Sequence, residues 1–214
     1  DQAGGSGTFT IKQDGSTNKF GAVNDRAGLT GNSKTFTSIT TGTGNDILIQ
    51  EEGNSTTTEL LITGNTNEVD SNVEGDSNDT TFEITGNTNT LLVKADVAAD
   101  VANTTNNSDV DVTIEGNTND VTFSMVDTDA AVNLWSLIGD LNVVNSYQQG
   151  QTGGVGHAQT VELFGSSNKV DIYQIGTEAH TLDLQVLGSD NNYTITQTDG
   201  TAATYTNPSA VTGN

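Results

Sequence analysis

The chain has no cysteine, and only six of its 214 residues are lysine or arginine. Without cysteine it has no disulfide and no thiolate nucleophile or metal ligand. Its 28 aspartates and glutamates give a formal net charge of -22 at pH 7. Such a field repels phosphate backbones and anionic lipid head groups. We therefore expect no nucleic-acid partner, and we expect self-association to depend on salt or divalent cations that screen the charge.

Long apolar runs are also missing, and no stretch approaches the ~20 residues of a membrane span. We expect no such span. Hydrophobic residues make up 32% of the chain, and with this net charge such a composition is typical of disorder. The apolar residues, however, alternate with polar ones, as at Val110, Val112 and Ile114. A period of two indicates strands with one buried face, so the pattern favours a folded all-β chain.

One turn sequence recurs along the chain. It reads ITGNTN at 62–67 and 84–89, and IEGNTN at 114–119. The wider pattern Gly-x-x-Asn-x-apolar occurs eight times, with its glycines at Gly15, Gly42, Gly64, Gly86, Gly116, Gly139, Gly165 and Gly188. Its asparagines are Asn18, Asn45, Asn67, Asn89, Asn119, Asn142, Asn168 and Asn191. The glycines are 27, 22, 22, 30, 23, 26 and 23 residues apart, which indicates a period near 22 with insertions.

Each period contains two short alternating segments separated by two turns. A unit of this size cannot bury its apolar face alone, but units stacked ~4.8 Å apart can. The sequence therefore predicts an all-β β-solenoid with two short strands per ~22-residue turn and about eight turns. We expect glycine and asparagine at the repeated turn because both tolerate positive φ. Asparagines at matched positions also predict a ladder of side chains along the stack.

The repeats divide the chain into three parts. Residues 8–200 form the predicted repeat domain, 1–7 a flexible N-terminal segment, and 201–214 a C-terminal cap or tail without the motif. Insertions at 96–108 and 150–158 are predicted loops. The chain begins at Asp1, and we expect a secreted form from which a signal peptide has been removed.

Some of the repeats resemble a known family. Residues 13–18 read Gln-x-Gly-x-x-Asn, and Asn-x5-Gln occurs at 142–148, 168–174 and 191–197, ending at Gln148, Gln174 and Gln197. These patterns resemble the curlin repeats of bacterial curli fibres, Ser-x5-Gln-x-Gly-x-x-Asn-x5-Gln. The serine is generally missing here, and the first glutamine is replaced in most copies, at Ile62, Ile84, Ile114, Leu163 and Val186. The resemblance implies a two-strand-per-turn solenoid and a role in extracellular, amyloid-like fibres.

Chemical motifs are sparse. There is neither a Gly-x-Ser-x-Gly elbow nor a phosphate-binding loop, and we expect no enzyme. The adjacent Glu51 and Glu52 could in principle act as a glycosidase pair. His157 and His180 have no metal-ligating neighbours in sequence, and we expect no resident cofactor. Calcium stays an alternative at aspartates predicted in turns, namely Asp76, Asp79, Asp190 and Asp199. Trp135 is predicted to fill the core or to cap a loop.

These features favour an extracellular or cell-surface structural protein that forms a homopolymer through its terminal strands. Unpaired strand edges at the ends of a solenoid are templates for another chain. The alternative is a phage virion or cell-surface appendage, an adhesin in which the inserted loops bind a ligand. Surface glycans or other matrix proteins would then be partners, and the location would be a cell or virion surface.

Overall fold

The computed structural model describes residues 7–21, 27–30, 33–53, 55–74, 77–95, 109–128, 132–150, 158–175 and 181–198. The regular elements of these residues are seventeen β-strands in two sheets. The first sheet contains β1 (Gly7–Asp14), β4 (Lys34–Thr41), β6 (Thr57–Thr63), β8 (Asp79–Thr85), β10 (Asp109–Glu115), β12 (Val132–Ile138), β14 (Ala158–Phe164) and β16 (Thr181–Leu187). The second contains β2 (Thr17–Phe20), β3 (Ala27–Thr30), β5 (Gly44–Glu52), β7 (Thr66–Glu74), β9 (Thr88–Ala95), β11 (Thr118–Thr128), β13 (Leu141–Gly150), β15 (Lys169–Ile175) and β17 (Asn192–Thr198).

The chain passes alternately between the two sheets, and every strand pairs in parallel with a strand of an adjacent turn. This arrangement confirms the predicted β-solenoid with two strands per turn. The predicted number of turns differs slightly, because the sequence count included the ends. Six inner turns, from β4–β5 to β14–β15, have neighbours on both sides, whereas the strands at each end are covered on one side only.

The core is a thin stack of inward-facing side chains. Ile62, Ile84 and Ile114 lie opposite one another in register on three successive strands, and each is at most 1% exposed. Farther along, the ring of Trp135 packs edge-on against Phe123 at a centroid distance of 4.8 Å. These residues are the apolar members of the alternating segments. Stacking buries them because each turn covers the next.

The first turn departs from the regular pattern in the second sheet. Both β2 and β3 pair with β5, with Asn18 opposite Asn45 and Thr30 opposite Glu52. The first turn therefore pairs with the second turn both before and after an insertion, which lies between β2 and β3. This insertion accounts for the longer spacing of 27 residues between Gly15 and Gly42.

Several predicted segments lie outside the described residues. They are the loops at 96–108 and 151–157, the C-terminal segment 201–214, and residues 1–6 of the N-terminal segment. Gly7, which the prediction placed in that segment, is the first residue of β1, and the two end residues of the predicted loop at 150–158 are strand residues, Gly150 in β13 and Ala158 in β14. At these three positions the strands are one residue longer than the predicted segments allow, because backbone pairing with the adjacent turn extends each strand beyond its alternating sequence.

Candidate functional site

The asparagines of the repeated turn form one continuous line of side-chain hydrogen bonds. In each pair the amide nitrogen of one asparagine donates to the amide oxygen of the asparagine in the next turn. The distances are 3.1 Å from Asn18 to Asn45, 2.7 Å to Asn67, 2.8 Å to Asn89, 2.9 Å to Asn119, 2.7 Å to Asn142, 2.8 Å to Asn168 and 2.9 Å to Asn191. We call this line the asparagine ladder. From Asn18 to Asn168, its members are 0–8% exposed.

The ladder has a direction, which backbone carbonyl groups determine. The amide nitrogen of Asn67 also donates to the carbonyl of Thr85 at 3.2 Å, and that of Asn142 to Gly139 at 3.0 Å. A side-chain amide nitrogen can only donate hydrogen bonds, and a carbonyl oxygen can only accept them. The backbone carbonyls therefore fix which end of each asparagine amide is the nitrogen. Every ladder bond therefore points from the N-terminal end of the solenoid toward the C-terminal end.

The glycines beside the ladder are required by close packing of successive turns. A Cβ atom at Gly86 or Gly116 would collide with the carbonyl oxygen of the glycine one turn earlier and with a ladder amide. The prediction that positive φ explains these glycines is wrong for five of the eight. Positive φ occurs at Gly15, Gly165 and Gly188, with values of 149–157°. In the last two repeated turns Ser167 and Asp190 also have positive φ, at 60° and 57°.

The predicted glutamines lie at the opposite end of the strands. The side-chain amide nitrogen of Gln174 donates to the side-chain oxygen of Gln148 at 2.8 Å. Gln197 lies opposite Gln174 in the backbone register of β15 and β17, but its side chain is outside the described part. Gln148 and Gln174 are both buried. They extend the polar stacking of the last turns to a second corner.

The two ends of the solenoid leave strands and core-facing side chains uncovered by any described residue. At the N-terminal end, Phe9 is 40% exposed, and Ile11 and Phe20 are half-buried. The rings of Phe9 and Phe20 each stack on the ring of Phe36, which belongs to β4, with 5.7 Å between ring centroids in both pairs. At the C-terminal end, Tyr193 and Ile195 are half-buried against the core. Both ends therefore expose apolar surface of the kind that inner turns bury completely.

The ladder is open at the same two ends. Within the described part of the chain, the amide oxygen of Asn18 receives no hydrogen bond from a side chain before it. At the other end, the amide nitrogen of Asn191 donates to the carbonyl of Gly188 at 2.9 Å, and its second hydrogen has no described acceptor. One end thus offers an acceptor and the other a donor at the same position in the turn.

The carboxylate pair proposed from the sequence does not converge. Glu51 is 0% exposed and faces the interior, whereas Glu52 is exposed on the outer face of the sheet. Adjacent residues of a strand point to opposite faces, so the two carboxyl groups cannot act on one substrate atom. Burial raises the pKa of Glu51 to about 7, and the hydroxyl groups of Thr58, Thr56 and Thr80 oppose that rise. The sequence carried a signal for this burial, because Glu51 continues the inward alternation of Ile47 and Ile49.

Of the other candidate residues, only Asp79 and Asp190 lie in the described part of the chain. Asp79 is exposed at the start of β8, and Asp190 lies in the last repeated turn. His157, His180, Asp76 and Asp199 are outside the described residues. Within the described ranges, no group of three or more His, Cys, Asp or Glu side chains is arranged to hold a metal ion. The same ranges contain no helix long and apolar enough to cross a membrane.

No protein-family model, curated protein or solved structure matches this chain.

Proposed function

We propose that the protein is an extracellular structural subunit that assembles end to end into a curli-like fibre and performs no catalysis. The observation that carries this proposal is the open, directional asparagine ladder. In a head-to-tail arrangement, the amide nitrogen of Asn191 in one copy would donate a hydrogen bond to the amide oxygen of Asn18 in the next copy. Repeating this joint gives an unlimited stack, since a head-to-tail contact that does not close into a ring produces a filament.

The register of the inner turns determines what such a joint would contain. With Asn191 placed against Asn18, Gly188 lies against Gly15 and continues the glycine stack. The backbone edges of β16 and β17 would pair with β1 and β2 of the next copy, satisfying donors and acceptors that otherwise face water. In the interior, Leu182 would cover Phe9, and Tyr193 would cover Phe20. The half-buried aromatic rings at both ends would thereby become core residues.

The charge distribution favours the same orientation. The first 34 residues contain four of the six basic residues and three of the 28 acidic ones. They carry a formal charge of +1, and the remaining 180 residues carry -23. Two C-terminal ends repel each other, whereas an N-terminal end can approach an acidic C-terminal end. Screening by salt or divalent cations outside the cell would reduce the repulsion between the acidic sides of neighbouring subunits.

Electron microscopy tests this proposal directly. Purified protein at micromolar concentration is incubated with physiological salt, with and without calcium, and imaged by negative staining. We expect unbranched filaments in the images and a meridional reflection at ~4.7 Å in fibre diffraction from the same filaments. The variant Ile195→Lys places a charge at the C-terminal end and should abolish them, whereas Thr113→Lys places the same charge on an exposed outer position mid-solenoid and should not. Particles that stay monomeric under every condition would refute end-to-end assembly.

A second candidate function, adhesion to surface glycans, is favoured by a single observation. Tyr147 and Tyr173 are opposite one another on the outer face of the second sheet, and Tyr173 is 38% exposed. Adjacent aromatic rings with nearby polar groups, here Asn145 and Asp171, can stack on sugar rings. Binding to a glycan array that is lost in the double variant Tyr147→Ala/Tyr173→Ala, with filaments unchanged, would support this role. An array without binding would exclude it for the glycans displayed.

A further inference from the structure

A buried polar cluster occupies the corner opposite the asparagine ladder in the second to fourth turns. It consists of Glu51, Thr56, Thr58, Asn78 and Thr80, which are 0–1% exposed, and the hydroxyl group of Thr58 is one of those that lower the pKa of Glu51. The hydroxyl of Thr80 donates to Oε1 of Glu51 at 3.2 Å. The hydroxyl oxygen of Thr56 lies 3.0 Å from Oε2 of Glu51 and 2.8 Å from Oδ1 of Asn78. A carboxyl group is thus held inside a core that is otherwise mostly apolar.

The hydrogens of this cluster can be counted. The backbone N–H of Thr56 donates to Oδ1 of Asn78 at 3.0 Å, which identifies this atom as the amide oxygen. The hydroxyl of Thr56 has one hydrogen but lies within hydrogen-bond distance of two oxygens, one from Asn78 and one from Glu51. If Glu51 were ionised, one of these contacts would bring two acceptors together without a hydrogen. A proton on Oε2 of Glu51 removes the conflict, because Glu51 then donates to Thr56, and Thr56 donates to Asn78.

We propose that Glu51 is a neutral carboxylic acid in the folded protein, and that its ionisation is a pH-sensitive switch that loosens the N-terminal turns of the solenoid as the pH rises. Ionisation removes the hydrogen donated to Thr56 and places an unpaired charge in the interior, which is unfavourable without a compensating partner. The strand that carries Glu51, β5, pairs directly with the terminal strands β2 and β3. The switch therefore lies directly beneath the N-terminal end.

The electrostatic surroundings agree with this assignment. Burial raises the pKa of Glu51 to about 7, and the charge of Asp79 adds to the rise. Lys34, a buried residue at the start of β4, is not among the groups that shift this pKa. The remaining described acidic side chains on the strands around Glu51 are on the outer faces of those strands, and they are Asp46, Glu52, Glu59, Glu68, Asp70 and Glu83.

The direction of the pH effect follows from the two protonation states. The ordinary pKa of 4.5 applies to the unfolded chain, and the folded value is about 7. Between these values the folded protein binds more protons than the unfolded one, so stability falls as the pH rises through this window. From pH 5 to pH 8.5, the unfolding equilibrium constant should increase on the order of a hundredfold through Glu51 alone.

Urea unfolding of full-length monomeric protein at pH 5 and pH 8.5 tests the switch, and it does not require fibre formation. In Glu51→Gln the amide group replaces the neutral acid, since its NH₂ can donate to Thr56 and its oxygen can accept from Thr80. At each pH, the unfolding equilibrium constant of the wild type is divided by that of Glu51→Gln. We expect this ratio to be on the order of a hundredfold larger at pH 8.5 than at pH 5. In the matched control, Glu52→Gln, the neighbouring exposed charge is removed, and the corresponding ratio should change less than about threefold.

The result is decisive in either direction. A rise below tenfold for Glu51→Gln, or an equal rise for Glu52→Gln, would overturn the proposal. If Glu51→Gln does not fold, the ¹³C chemical shift of the Glu51 side-chain carboxyl carbon in the wild-type protein decides the question. A titration midpoint above pH 6 supports a neutral Glu51, and a midpoint at or below pH 6 contradicts it.

Discussion

The side-chain amide of Asn89 donates a 2.9 Å hydrogen bond to the side-chain oxygen of Asn119, although 30 residues separate them in sequence. The preceding bond, from Asn67 to Asn89, spans only 22 residues and has nearly the same length, 2.8 Å. Eight extra residues in one turn therefore leave the geometry of the repeated corner unchanged. The corner is the constant part of each turn, and the insertion is accommodated elsewhere. The following predictions test how this geometry contributes to stability and assembly.

Removing one member of the ladder should destabilise the solenoid. Asn119→Ala removes the hydrogen-bond donor to the buried amide oxygen of Asn142, and it leaves the amide nitrogen of Asn89 with only the longer contacts to the carbonyls of Gly86 and Glu115. Each buried polar group that loses its partner costs about 1–3 kcal/mol. The free energy of unfolding, measured with urea, should fall by a similar amount. The control is Asn117→Ala, an exposed residue of the same turn, for which the change should stay within about 0.5 kcal/mol.

Adding a methyl group at a corner glycine should be equally disruptive. In Gly116→Ala, the new Cβ meets the carbonyl oxygen of Gly86 and the amide of Asn89, and the backbone must shift. We expect a loss of about 3 kcal/mol, the upper part of the usual range for overpacking. At Gly44 the nearest atom to a Cβ is the carbonyl oxygen of Thr66 at 3.9 Å. The free energy of unfolding of Gly44→Ala, measured with urea, should therefore stay close to that of the wild type. Equal losses of unfolding free energy in Gly116→Ala and Gly44→Ala would contradict the packing explanation.

The single tryptophan provides an intrinsic probe of the core. Trp135 is completely buried and contacts the ring of Phe123, so its fluorescence should be blue-shifted in the folded protein and resist quenching by acrylamide. Trp135→Ala should cost about 3–5 kcal/mol because it leaves a large cavity. Leu134→Ala, at an adjacent side chain that is 48% exposed, should change stability by no more than about 0.5 kcal/mol. Efficient quenching of native Trp135 would show that the stack is open.

Charge at the N-terminal end should control the rate of assembly. Lys12 is exposed, and its contact with Asp14 at 3.8 Å is between two exposed side chains, which contributes little to stability. Lys12→Glu should lengthen the lag before filaments appear at low salt, as followed by light scattering. The difference should shrink near 1 M salt, where the screening length is ~3 Å.

The control for this charge is Lys94→Glu, which makes the same charge change in the middle of the solenoid, on β9. If steering acts at the end, Lys94→Glu should assemble faster than Lys12→Glu at low salt. Equal lag times for the two variants would indicate that only net charge matters.

Much of the fold was predictable because the side-chain period of a strand is two. The alternation at Val110, Val112 and Ile114 identified inward positions without any tertiary information, and the Gly-x-x-Asn spacing located the turns. The explanation of the glycines was not predictable. A sequence pattern shows that a small residue recurs, but whether it avoids a collision or permits positive φ depends on how closely the next turn approaches.

The sequence by itself determined the two-strand turn, the residues that face the core and the positions of the ladder asparagines, because these depend on local periodicity. Only the tertiary structure decided the direction of the ladder and the network that surrounds Glu51. These features depend on contacts between adjacent turns, such as those of Asn67 with Asn89 and of Thr56 with Asn78, each 22 residues apart in sequence. Hydrogen-bond direction and burial are properties of such neighbours, and they exist only once the turns are stacked.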